Sequence, residues 1–121
     1  MSHVSQVETE ITDYSMLKKS LKDLNHKFEE NVNISGKWIN EKADLVLNIN
    51  GDKNIGFRKN EDGIYNFVGD FFGKNKNSIT EPILQRYSAN VIKQNYVRMG
   101  VRSITEQVLD SGEIKIRGIV A

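Results

Sequence analysis

The first twenty-five residues, MSHVSQVETEITDYSMLKKSLKDLN, constrain the fold most. They set a two-residue alternation directly against a helical repeat, so the chain must pass from strand to helix within a few residues. His3, Ser5, Val7, Thr9 and Ile11 share one face of a predicted strand over His3 to Ile11, and Val4, Gln6, Glu8 and Glu10 share the other. Thr12 or Asp13 can cap the helix that follows. Leu17, Leu21, Leu24 and Phe28 recur at steps of four, three and four, which places them on one face, and Asn25 suits a left-handed cap at its end. The expectation is one folded domain over residues 1–121, beginning at the first residue with no leader before it.

Further along, Lys27 to Ile34 and Gly36 to Ile39 read as short strands. Ala43, Leu45, Leu47 and Ile49 alternate up to Asn50-Gly51, a pair that favours the positive φ angles of a tight hairpin. Ile55 to Arg58 returns, a turn at Asn60 to Gly63 follows, and Ile64 to Val68 completes a three-stranded meander. Ser78 or Thr80 can cap a second helix with Glu81-Pro82 in its first turn. Ile83, Leu84, Tyr87, Val91 and Asn95 lie along one side of it, and Gly100 ends it. Val101 to Leu109 and Glu113 to Val120 form a last hairpin. Strand, helix, several strands, helix and two strands predict an α+β fold: a largely antiparallel sheet with two helices on one face.

Composition narrows the chemistry. The chain has no cysteine, which excludes thiol catalysis, disulfides and Cys-ligated metal. Seventeen basic residues against sixteen acidic ones leave a net charge of +1, without the basic excess of a dedicated nucleic-acid binder. No apolar run is long enough to span a membrane. The acidic Glu8, Glu10 and Asp13 are foreign to transit peptides. Heavy use of Asn, Lys and Ile fits an AT-rich genome.

Candidate functional residues fall into three groups, each beside a plainer reading. His3 and Ser5 share a strand face and, with Arg86, mark a possible polar site. Two positions along a strand hold their Cβ atoms about 6–7 Å apart, however, and no orienting acid is identifiable. Trp38, Phe71 and Phe72 mark a possible partner contact, Trp38 in an ill-defined strand and the Phe pair beside a polar loop. Lys37-Trp38 with Phe57-Arg58-Lys59, and separately Arg86, Arg98 and Arg102, are aromatic-basic groups of the kind that bind RNA. Phe57, Tyr65, Phe67 and Tyr87 fit core positions better. The two histidines, His3 and His26, lack metal-ligand spacing, so neither a metal nor a cofactor is expected.

Several segments resemble a known family. His3, Ser5, Val7, Thr9, Ile11 and Asp13 match the opening of the hypothetical chloroplast open reading frame thirty-five family of algal plastids and cyanobacteria, with Val4 at a usually aromatic place. Ala43-Asp44-Leu45-Val46, Ile55-Gly56-Phe57, Gly63-Ile64-Tyr65, Asp70 ahead of Gly73, and Gln85-Arg86-Tyr87 are similar too, as is Asp110 to Ile114. The resemblance implies a plastid-encoded protein, in keeping with the residue usage and the missing transit peptide. The family brings no catalytic or binding residue. The leading expectation is a soluble, non-catalytic binding or assembly module of the chloroplast stroma with an unknown protein partner. An RNA-binding domain using Arg58, Arg86, Arg98 and Arg102 is the alternative, and a small enzyme near His3, Ser5 and Arg86 ranks last.

Overall fold

In the computed structural model, which describes residues 4–35, 41–71 and 75–119, five strands form one antiparallel sheet and two form another. The elements are β1 (Val4–Val7), α1 (Tyr14–Asp23), β2 (Lys27–Asn33), β3 (Lys42–Ile49), β4 (Asp52–Lys59), β5 (Tyr65–Asp70), α2 (Lys76–Arg98), β6 (Ser103–Val108) and β7 (Ile114–Ile119). The main sheet runs β1-β5-β4-β3-β2, and β6-β7 stands apart. The architecture is α+β, as the order of sequence patterns implied.

Register explains why this sheet needs helices on one side. Val7, Phe67, Phe57 and Leu45 lie opposite one another in successive strands and form one row across it. Ser5, Gly69, Ile55, Leu47 and Phe28 form the next row. Leu17 and Leu21 of α1 and Ile83 and Tyr87 of α2 close over these rows, with Phe57 and Phe67 ring centroids 4.4 Å apart at the centre. Burying side chains of this size stabilises the fold by about 1.5–3 kcal/mol each, which neither helix could supply alone. On the other face Val46 and Val68 flank Gly56 and join Ile34 and Ala43 in a smaller cluster. A Cβ on Gly56 would overlap the Leu45 carbonyl oxygen, so the close approach of β4 to β3 requires glycine there.

Local signals acted as expected at α1. The Asp13 side chain accepts from the Met16 N–H at 3.0 Å, and Asn25 takes the left-handed conformation. Asn50 and Gly51 both have positive φ, which turns β3 tightly into β4. Two boundaries differ. β1 ends at Val7, because beyond it the Thr9 hydroxyl and the Asn66 amide replace ladder bonds. α2 starts at Lys76, capped by Asn75 rather than by Ser78 or Thr80. Burial of Thr80 and Ile83, and of part of Ile79, holds those earlier turns in the helix and outweighs the cost of Pro82 in its interior. The last hairpin does not extend the main sheet, whose β2 edge presents exposed Lys27, Glu29 and Glu30, side chains that discourage further pairing. It packs on α2 instead.

Candidate functional site

α2 serves three sides at once. Ile83, Tyr87 and Asn90 turn toward the main core and α1. Arg86, Lys93 and Tyr96 turn toward the hairpin. The Glu106 carboxylate of β6 accepts from the Arg86 guanidinium at 2.8 Å and from Lys93 Nζ at 2.9 Å, and the Tyr96 ring lies against Gly118 of β7. The hydrogen bond from Lys93, joined by the one from Arg86, holds the Glu106 carboxyl below the usual glutamate range, although partial burial opposes it.

The third side is open. Leu84, Ser88 and Ile92, one turn apart, floor a groove walled by Glu8 to Thr12 on one flank and by Glu113 and Ile114 on the other. The first part holds about 760 Å³ and the second about 250 Å³, and both share Leu84, Ser88 and Ile92. Ile92 is 41% exposed, a large apolar side chain left to solvent.

The wall over residues 8–12 is held rigidly. Thr9 Oγ1 donates to the Tyr65 carbonyl at 2.5 Å and accepts from the Ile11 N–H at 3.1 Å. The buried Asn66 side chain accepts from the Thr9 N–H. The Tyr87 hydroxyl accepts from the N–H groups of Thr12 and Asp13 at 3.1 and 3.0 Å. Thr9, Tyr65 and Tyr87, three of the residues that carried the family resemblance, therefore fix this wall to the sheet and to α2. Glu8, Glu10 and Glu113 are exposed on the two walls; among the described residues they enter no ion pair, and no Lys or Arg lines the groove.

The expected sites fare differently. His3, Trp38 and Phe72 lie outside the described residues. Phe71 is a correction: just past β5 its ring turns into the main core at 7% exposure, so it is not offered to a partner. Ser5 is half-buried opposite Gly69, whereas Arg86 is held by Glu106 on the hairpin side of α2, and no described interaction joins them. Arg58 pairs with Glu41 at 2.9 Å, so two of the four arginines proposed for RNA are committed to ion pairs. Arg98 and Arg102 are exposed.

A second polar cluster lies where the first turn of α1 meets the main sheet. Tyr14 stacks on Tyr65 with centroids 5.0 Å apart, lies under Lys18 Nζ at 4.9 Å, and donates its hydroxyl to Glu30 at 2.7 Å. Burial, then the Glu30 carboxylate, push the phenol well above its ordinary value, so it stays protonated as a structural donor. Among the described residues no group of three His, Asp or Glu side chains is placed to hold a metal ion.

The sequence pattern hides the groove because it sets Leu84, Val91 and Asn95 with Ile83 and Tyr87 along one continuous side of the helix. A signal was present: apolar residues spread round α2 more widely than one buried face requires.

Comparison with known proteins agrees with the family resemblance. No solved structure matches the chain significantly. It is 32% identical over 123 residues to "Uncharacterized protein ycf35" of Guillardia theta, covering 96% of this chain and 94% of that one. It is 28% identical over 122 residues to the protein of the same name from Cyanophora paradoxa, with the same coverage. These relatives support a plastid-encoded protein. Residues 20–117 match the model described as "Protein of unknown function (DUF1257)", and the chain belongs to that family.

Proposed function

We propose that this protein is a non-catalytic binding or assembly module of the chloroplast stroma, and that it docks a protein helix on the open side of α2. The observation that carries the reading is that side itself: an apolar stripe left uncovered between two walls, one of them tied down by four hydrogen bonds from side chains. Helix-in-groove recognition uses apolar side chains at one-turn spacing, which Leu84, Ser88 and Ile92 provide from the receiving side. Ser88, small and central, lets a partner backbone come close. The acidic walls oppose a phosphate backbone in the same place.

The test compares tagged wild-type protein with Ile92→Asp in capture from plastid extract, with and without nuclease. The reading expects protein partners that survive nuclease and are lost from the Ile92→Asp protein. Partners retained by that variant would refute the groove, and partners lost to nuclease would favour RNA binding through Arg98 and Arg102.

A further inference from the structure

We infer that the occupant of this groove is α2 of a second copy of the same chain, in an antiparallel two-fold pair. The inference rests on the docking reading above and names its partner.

The open side of α2 does not stop at Ile92. Leu84, Ser88, Ile92 and Asn95 of α2 and Met99 at its C-cap follow one another at steps of four, four, three and four, so they form one stripe about 22 Å long at 1.5 Å per residue. Its two halves differ in form. The first half, Leu84 to Ile92, is the groove floor between its walls. The second half lines neither part of the groove and stands out as a ridge, with Asn95 exposed and Met99 75% exposed. Groove and ridge lie on one face of one helix.

A two-fold axis across the middle of that stripe inverts its ends and sets each ridge into the partner's groove. Leu84 then meets the partner's Met99, Ser88 meets the partner's Asn95, and Ile92 packs beside the axis. The pairing sets large apolar against large apolar and small against modest polar, as a self-complementary interface requires.

Charge follows the same inversion. Such an axis keeps the two flanks of the helix on their own sides while exchanging its ends. Arg98 leaves α2 on the flank of Val91, the flank on which residues 8–12 stand, and is exposed with no ion pair among the described residues. In the pair it arrives beside Glu8 and Glu10 of the other copy, which enter no ion pair among the described residues. Acid at one end and base at the other, with Leu84, Ile92 and Met99 on the face between them, fit a second copy of this chain.

Sedimentation equilibrium from micromolar to near-millimolar protein tests this directly. The wild type is expected to associate to a dimer and no further, and Ile92→Asp to weaken association by at least about tenfold. Because Ile92 is already partly exposed, that variant keeps its fold. Arg98→Glu weakens association, and mixing it with Glu8→Lys/Glu10→Lys protein restores it in the mixed pair. The chain has no cysteine, so introduced thiols report geometry alone. Under mild oxidation, Leu84→Cys protein mixed with Met99→Cys protein is expected to give mainly the mixed disulfide. A wild type that stays monomeric throughout, or homodisulfides as frequent as the mixed one, overturns the inference. Loss of captured partners from Ile92→Asp alongside a monomeric wild type would leave the docking reading standing and remove only the second copy as its occupant.

Discussion

Replacing Tyr87 by Phe removes one oxygen atom and leaves the ring in the core, so its cost isolates what holds the groove wall. That oxygen accepts from the N–H groups of Thr12 and Asp13 at 3.1 and 3.0 Å. The hydroxyl sits at the core edge, on a residue only 8% exposed, while Thr12 is open to solvent. Water can therefore recover part of one bond but little of the other. A net loss of about 1 kcal/mol per bond, with a desolvation penalty for the less accessible N–H, gives about 2 kcal/mol in all. For a chain of this length that lowers the melting temperature by about 8 °C. In urea, the midpoint falls by about 1 M with the slope unchanged, because the same surface is exposed on unfolding. Amide exchange adds a local readout, with Thr12 and Asp13 losing protection well before the strands. A stability change below about 0.5 kcal/mol, the range of indifferent surface substitutions, would refute the view that Tyr87 anchors residues 8–13.

Three further outcomes follow from the core and the hairpin. Gly56→Ala should fail to fold or lose most of its stability, since the added methyl meets the Leu45 carbonyl oxygen between paired strands; a soluble variant with an unchanged melting curve would contradict this. Phe57→Ala, at a fully buried position, should cost about 3–5 kcal/mol by denaturant titration. Glu106→Gln should be less stable than the wild type at neutral pH. The folded Glu106 carboxyl titrates below its ordinary 4.5, so its contribution is present above that value and is lost as pH falls through the folded one. The difference between variant and wild type should thus close on acidification, and a gap that persists under acid would deny the role of the charge.

The elements legible in the sequence were those whose cause is local. Asp13, Asn25 and Asn50-Gly51 sit where capping and turn chemistry demand them, and the alternation through Leu45, Leu47, Ile55 and Phe57 marks strands with one buried face. What escaped depends on distant partners. β1 stops early because Asn66, far along the chain, takes the Thr9 N–H. α2 runs past Pro82 because Thr80 and Ile79 are buried by the sheet. Phe71 beside a polar loop looked like a surface aromatic, and only the folded sheet shows it in the core. The candidate site was the least legible part. Its floor is an ordinary helix face whose openness follows from where the hairpin docks, and that position is set by Glu106 and Gly118 against α2.

The most direct measurement of the central claim is a dilution series followed by backbone amide signals of the isotopically labelled protein. If the open face of α2 is the recognition surface and a second copy fills it, the signals of Leu84, Ser88, Ile92, Asn95 and Met99 should shift together with concentration. Those of Glu8 and Glu10 should follow, while the β2 edge and the Val46–Val68 side of the sheet stay fixed. Shifts confined to the outer face of the β6–β7 hairpin, or none at any concentration, would contradict the account.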